Sequence, residues 1–236
     1  MLSKVKLYWE SFLHLFFPDL CAACMREIPV SGDVLCVYCN HDLPLCGFPS
    51  LTDNLVHWRL AGRALPIWAS SYMFFKEGNV TQALLHQLKY RGKQYIGEEF
   101  GRRHGEYILS QLPAEWRPDY IIPVPLHPKR LHERGFNQST CYARGLSEAM
   151  RVKVREDILV RRKYTETQTR KSKQDRIKNV SDAFQLRDAE GLTGKTILIV
   201  DDVFTSGATL EACILPFHGL EEVKVSIATL AIADDW

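Results

Sequence analysis

An apolar run that ends in two acids and a glycine-containing turn dominates the C-terminal half of the sequence. It reads KTILIVDDVFTSGATLEA over residues 195–212. The β-branched and aliphatic side chains of 196–200 are typical of a strand buried on both faces, as parallel strands are when helices cover them. The pattern then places Asp201 and Asp202 at the carboxyl end of this strand. Ligands of open α/β sheets bind at that edge, so the run predicts both a fold class and the position of a site.

The rest of the chain from about residue 64 alternates between strand and helix patterns, which predicts a parallel sheet with helices on both faces. Predicted strands cover 66–75, 119–125, 157–163, 183–186, 195–202 and 222–233, and predicted helices cover 81–90, 95–112, 136–150 and 206–219. Before this region the sequence is short, cysteine-rich and punctuated by Pro and Gly. We therefore expect two domains, an N-terminal module over 1–61 and an α/β domain over 62–236.

Two cysteine pairs define the N-terminal module. Cys21 and Cys24 are separated by two residues, as are Cys36 and Cys39, and eleven residues lie between the pairs. Four thiolates complete a tetrahedral zinc site, and such a closed site is structural. The spacing therefore predicts a zinc ribbon. Unmetallated thiols are the alternative, and His41 and Cys46 are possible substitute ligands. A thioredoxin-like role is disfavoured because no strand-then-helix pattern surrounds either pair.

An amphipathic helix is predicted at residues 2–17, with an apolar face that we expect to pack on the protein itself; a membrane surface is the alternative. No apolar run is long enough to cross a bilayer. The sequence shows no convincing secretory signal, so we expect a cytoplasmic, reducing location, in which paired cysteines bind metal.

The residues around the acid pair suit a ribose 5-phosphate. Carboxylates repel phosphate, but Asp201 and Asp202 can accept hydrogen bonds from sugar hydroxyls. The turn after them offers hydroxyl groups and backbone N–H groups to a phosphate at a helix N-terminus, and its members are Thr205, Ser206, Gly207, Ala208 and Thr209. Gly194-Lys195-Thr196 does not fit a P-loop because it precedes its strand.

Positive charge is concentrated in residues 151–178. This segment holds eleven Lys or Arg against four Asp or Glu, although the whole chain carries a net charge of only +2. The concentration indicates a local site for an anion, and a solvated loop is the alternative.

Four ordered motifs resemble those of the ComF family of type I phosphoribosyltransferase-like proteins. VDDVFTSGATL resembles the signature that binds 5-phosphoribosyl 1-pyrophosphate (PRPP). The other three are the LLHQLKYRGK block, the IPVPLHPKRLHERGFNQS block and the segment RRKYTETQTRKSKQDRIKNVSDAF. FPDLCAACMREI resembles the opening of the family's zinc ribbon. The likeness extends from about residue 16 to 233. Many members have a further cysteine pair in the region of Cys46, whereas this sequence has a single cysteine there.

The resemblance implies a type I phosphoribosyltransferase-like fold and a PRPP ligand bound with Mg²⁺. It implies that Lys129, Arg130 and Arg134 bind the leaving pyrophosphate, and a planar guanidinium suits that role. Asp201, Asp202 and Arg134 are then the candidate catalytic residues. An enzyme of this kind transfers phosphoribose to a nitrogen acceptor, which the sequence does not identify.

Two alternatives stay open at this level. Residues 161–178 resemble the flexible hood that closes over PRPP, but a basic strip can also contact single-stranded DNA. Likewise, the family name implies a role in DNA uptake, in which the protein senses PRPP without catalysis and contacts single-stranded DNA or a competence helicase. Of these, the hood and the enzyme are the preferred interpretations.

Overall fold

A computed structural model of the chain describes residues 18–30, 32–161 and 183–233. The predicted helix at 2–17 and residues 162–178 of the basic segment lie outside these ranges. The helices are α1 (Val37–His41), α2 (Leu55–Leu60), α3 (Val80–Tyr90), α4 (Gln94–Gln111), α5 (Pro128–Arg134), α6 (Gln138–Met150) and α7 (Ala208–Ile214), with 3₁₀ turns at Ala114–Trp116 and Leu215–Gly219. The strands are β1 (Ala69–Phe75), β2 (Tyr120–Pro123), β3 (Lys153–Val154), β4 (Leu159–Arg161), β5 (Phe184–Leu186), β6 (Thr196–Phe204) and β7 (Lys224–Ala233).

Five strands form one parallel sheet in the order β1–β7–β6–β2–β3. The apolar run of the sequence is its central strand, β6, which pairs with β7 on one side and with β2 on the other. The predicted parallel sheet is therefore confirmed. The strand continues past the acid pair to Phe204. The two acids therefore lie inside its C-terminal part and not beyond its end.

Helices cover both faces of the sheet. Leu198 and Val200 belong to a core shared with α4 and α6, whereas Ile197 and Ile199 belong to a core shared with α2 and α7. The alternation of faces along β6 explains why every position from Ile197 to Val200 is apolar. Helices α4 and α6 approach so closely that a methyl group at Gly145 would overlap the carbonyl of Glu98.

The cysteine region is continuous with this body. Cys21 and Cys36 are buried in the same core as Leu198. The chain at 44–46 also runs antiparallel to β1: the Cys46 N–H donates to the Tyr72 carbonyl at 2.9 Å, and the Phe74 N–H donates to the Pro44 carbonyl at 2.7 Å. The boundary expected after residue 61 remains a prediction, and the two regions are joined here by packing and by backbone hydrogen bonds.

Two predicted elements differ in the structure. The strands predicted at 157–163 and 183–186 do not join the parallel sheet, because β4 and β5 pair antiparallel as a separate two-stranded sheet. The proline-containing segment after β2, for which the sequence pattern predicted no element, contains the short helix α5. Pro128 occupies the first turn, where its missing N–H costs no hydrogen bond, and Gly135 ends the helix at φ +76°.

Within the described ranges, no helix has the combination of length and apolar character needed to cross a membrane.

Candidate functional site

The two acids of β6 have different partners. The Ser139 hydroxyl donates to Asp201 Oδ1 at 2.9 Å, and the backbone N–H of Asp202 donates to the same oxygen at 2.8 Å. Asp202 instead forms an ion pair, with 2.7 Å between its Oδ2 and the Nζ of Lys89. One acid is therefore held by neutral hydrogen-bond donors and the other by a full positive charge.

This difference shows in the protonation of Asp201. Burial and the negative charge of Asp202 raise the pKa of Asp201 to about 7, against the opposing effect of the Ser139 hydrogen bond. The carboxyl group can therefore gain or lose a proton near neutral pH. A carboxyl group with such a pKa next to a charged neighbour is a common property of ligand and catalytic sites.

Ser139 reaches Asp201 because Asn137 fixes the start of α6. The Asn137 side chain caps the helix by accepting from the Ser139 N–H at 3.1 Å, and its amide donates to the Val124 carbonyl at 2.9 Å. Asn137 thus ties the helix to the chain that leaves β2. In the GFNQS motif, Asn137 therefore positions the helix and Ser139 contacts the acid pair. The sequence alone did not distinguish these two roles.

The turn after β6 has the shape that its sequence predicts. Gly207 adopts φ +79°, and an added Cβ would lie 2.9 Å from Phe204 Cζ, so only glycine fits without strain. Thr205, Ser206 and Thr209 are exposed around it, and α7 begins at the next residue without a side-chain cap. Hydroxyl groups and the first N–H groups of α7 are consequently available at the surface of this turn.

Arg63 also contacts the turn after β6. Its guanidinium donates to the Ser206 carbonyl at 3.0 Å and to the Arg59 carbonyl, and it pairs with Glu211 at 3.2 Å. Sequence reasoning did not single out Arg63, because nothing local indicates that residues so distant along the chain meet.

A cleft lined by cations lies beside the acid pair. Its volume is about 560 Å³, and its lining residues are Lys89, Tyr90, Gly92, Arg130, Glu133, Arg134 and Phe136. The guanidinium of Arg134 lies over the ring of Tyr90, 5.4 Å from its centroid. Since Lys89 both lines the cleft and binds Asp202, the cleft and the acid pair form one continuous surface.

The structure thus groups most of the residues that the sequence indicated. Arg130 and Arg134 line the cleft, and Asp202 is joined to it by the ion pair with Lys89. The turn around Gly207 begins three residues after Asp202, directly after the end of β6. Lys129 is exposed on α5 and does not line the cleft, although its backbone N–H donates to His127. Of the predicted hood, only Arg161 lies within the described ranges, where its guanidinium covers the Phe184 ring at 5.4 Å.

The four predicted zinc ligands converge. The sulfur atoms of Cys21, Cys24, Cys36 and Cys39 all lie within 4.8 Å of one another, and those of Cys24 and Cys36 are 4.0 Å apart. Sulfurs bonded to one tetrahedral zinc at about 2.3 Å are about 3.8 Å apart, so the donor set fits the ion in both chemistry and spacing. Among the described residues, His41 and Cys46 are not part of this group.

Local geometry explains the convergence. The Cys36 thiol caps α1 by accepting from the Cys39 N–H at 3.5 Å, and Met25 turns the first knuckle at φ +56°. Hydrogen bonds from backbone N–H groups, that of Glu27 above all, lower the pKa of Cys24 to about 7, which favours the thiolate that a metal requires.

Comparison with known proteins finds one matching domain family and several similar proteins. The phosphoribosyl transferase domain family matches residues 136–234. The chain is 29% identical over 228 residues to the DNA utilization protein YhgH of Escherichia coli O6:H1 and covers 96% of it with 89% of its own length. It is 27% identical over 223 residues to competence protein F of Haemophilus influenzae, with the same coverages of 89% and 96%. It is 25% identical over 209 residues to competence protein ComFC of Bacillus subtilis, covering 79% of that protein with 86% of its own length.

Proposed function

Because the chain belongs to the ComF family of type I phosphoribosyltransferase-like proteins, we propose that it binds PRPP with Mg²⁺ in the surface formed by β6, the turn after it and the cationic cleft. The observation that carries the proposal is the continuity of three chemically different parts. A glycine turn rich in hydroxyls, a pair of acids and a cleft with three cations match the 5′-phosphate, the sugar and the diphosphate of PRPP, in the order in which they occur in that molecule.

Each part has a defined role. Asp201 and Asp202 accept hydrogen bonds from the ribose hydroxyls, and the turn from Thr205 to Thr209 binds the 5′-phosphate. Arg130 and Arg134 bind the diphosphate. Lys129 precedes Arg130 in the chain and does not itself line the cleft. Mg²⁺ suits phosphate oxygens and retains several waters, so it would enter with the diphosphate.

In the enzymatic form of the proposal, a nitrogen nucleophile forms a bond to the anomeric carbon of PRPP. The bond from that carbon to the diphosphate oxygen breaks, pyrophosphate leaves with the bonding electrons, and the nitrogen loses a proton. Arg130 and Arg134 stabilise the charge that develops on the leaving group. Arg134 is the better placed for this because Tyr90 orients its guanidinium.

A second candidate function is supported by the names of the relatives, which refer to DNA utilization and to competence. In this form the protein senses PRPP without turnover and acts as an adaptor in DNA uptake, contacting single-stranded DNA or a helicase. The concentration of eleven basic residues in 151–178 favours a polyanion as one of its contacts.

Titration calorimetry with PRPP, with and without Mg²⁺, tests the shared part of both forms. We expect binding that Mg²⁺ strengthens and that Asp202→Asn weakens about tenfold, since a hydrogen bond to a charged group contributes about 1.5–3 kcal/mol. Asp42→Asn is the matched control, because that exposed acid pairs only with its neighbour His41 among the contacts described. Absence of PRPP binding by the intact protein would reject the proposal.

A screen of nitrogen acceptors separates the two forms. Pyrophosphate release with any acceptor supports the enzyme. Binding of PRPP without release, together with an affinity for single-stranded DNA that PRPP changes, supports the adaptor.

A further inference from the structure

Lys89 lies between the acid pair and the cationic cleft, and the proposed function gives it no role. It lies in the last turn of α3, and its side chain is largely enclosed, with 22% exposed against 16% for that of Asp202. Its Nζ is 2.7 Å from Asp202 Oδ2, and the same residue lines the cationic cleft with Arg130 and Arg134.

The chemistry of the ammonium group allows more than one partner at a time. It has three N–H donors and no acceptor, and the bond to Asp202 uses one of them. The charged side chains that line the cleft are Lys89, Arg130, Arg134 and one acid, Glu133, so the cleft has an excess of positive charge. An anion in this cleft therefore lies next to an ammonium group that already pairs with Asp202 and has two further N–H donors.

We propose that Lys89 binds both halves of the ligand site at once, holding Asp202 in place for the sugar while donating to a phosphate oxygen of the diphosphate. This inference rests on the proposed binding of PRPP and adds to it a ligand-binding residue that links the two ends of the molecule.

The neighbouring residues support a lysine at this point. Tyr90, next in the chain, orients Arg134 through its ring, so two cations of the cleft are arranged by adjacent positions of α3. A compact point charge on a flexible stem can bridge a carboxylate and a phosphate, whereas the fixed fork of arginine favours one bidentate partner. Lys89→Arg is consequently expected to recover only part of the function.

The test uses the full-length protein and inorganic pyrophosphate, a fragment that has no sugar hydroxyls for Asp202. If Lys89 contacts the diphosphate, Lys89→Met weakens pyrophosphate binding by about tenfold or more. Asp202→Asn has the opposite or no effect, because it removes a negative charge near the anion and leaves Lys89 unpaired. Lys93→Met is the matched control, since Lys93 contacts Met25 and does not line the cleft.

A double variant separates contact from indirect repulsion. If Lys89→Met acted only by leaving Asp202 uncompensated, adding Asp202→Asn would restore pyrophosphate affinity to that of the unmodified protein. Direct contact predicts that the double variant remains weak, and it also avoids an unpaired acid that impairs folding. Full restoration, or a Lys89→Met variant with unchanged affinity, would overturn the inference. Failure of the unmodified protein to bind PRPP would instead overturn the proposed function on which it rests.

Discussion

At the scale of single residues, Asp201 is the most informative group in the molecule. It is adjacent to Asp202 in the chain, yet Asp202 has a cation for a partner and Asp201 has a hydroxyl and a backbone N–H. Burial and the charge of Asp202 raise the pKa of Asp201 to about 7. Folding therefore favours the protonated form of this carboxyl group over a wide range of pH.

A stability measurement checks this directly. The unfolded chain releases the Asp proton near pH 4, whereas the folded protein keeps it to about pH 7. Between these values the folded state binds more protons, so the free energy of unfolding falls as pH rises. Asp201→Asn removes that loss, and we expect it to raise the melting temperature at pH 8 by at least about 2–4 °C but to have little effect at pH 4.

The control is Asp42→Asn, whose exposed carboxyl should give the same small difference at both pH values. A melting temperature of Asp201→Asn at pH 8 that equals or falls below that of the unmodified protein would contradict the assignment. This measurement needs no ligand, so it is independent of the proposed function.

The sequence identified some site residues and not others for a physical reason. Asp201, Asp202 and the turn around Gly207 are consecutive, so one local pattern reveals them. Ser139 contacts Asp201, which is 62 residues away along the chain, and Arg63 contacts Ser206, which is 143 residues away. A pattern within one segment carries no information about which distant side chain folds onto it.

At the scale of elements, the turn between β6 and α7 depends on one backbone conformation. We expect Gly207→Ala to destabilise the protein by about 1–2 kcal/mol, because alanine is strained at positive φ and its Cβ would lie 2.9 Å from Phe204 Cζ. Binding of ribose 5-phosphate should fall with it, whereas binding of inorganic pyrophosphate should not. Chemical denaturation and calorimetry with the two fragments measure these effects.

Gly219→Ala provides the comparison for that variant. A Cβ at Gly219 meets no atom within 4 Å, and its φ does not lie in the left-handed region. Equal effects of the two substitutions on stability and on ribose 5-phosphate binding would show that the turn has no special role.

The sequence pattern predicted the long elements and the short strands β4 and β5, but it missed the short helix α5. Helices α4 and α6 extend over several turns, so their apolar spacing identifies them, and the apolar run of β6 does the same for the strand. Helix α5 has seven residues and begins at the third of three closely spaced prolines, a composition that favours a loop. The His127 cap and the Gly135 stop together explain why it is helical. The pairing of β4 with β5 depends on tertiary contacts that strand propensity does not express.

At the scale of the whole molecule, the cysteine region and the sheet share one core. Cys21 and Cys36 are buried with Leu198 of β6, and Arg103 of α4 forms an ion pair of 2.6 Å with Asp33. Metal binding by these cysteines would therefore be coupled to the stability of the sheet as well as to local folding.

Removal of zinc tests this coupling. Elemental analysis should find one tightly bound zinc per chain, and Cys24→Ser should release it. Because the core is shared, we expect the melting temperature of the entire protein to fall in a single transition, followed by both far-ultraviolet circular dichroism and tryptophan fluorescence. Cys46→Ser is the control and should retain the metal, since Cys46 is outside the described cluster.

Purified protein without zinc would reject the site. A separate low-temperature transition in Cys24→Ser, with the sheet melting as before, would instead favour an independent module over 1–61.

The strand-like pairing of residues 44–46 with β1 determines how much of that side of the sheet is open to a second chain. An open side strand presents a row of unpaired N–H and C=O groups on which a second chain can add. Here the cysteine region covers that side at Tyr72 and Phe74, and the strand at the other side, β3, is only two residues long. Within the described residues, neither margin of the sheet then offers a long template for growth into a fibre, so the cysteine region also limits the edge that a second chain could extend.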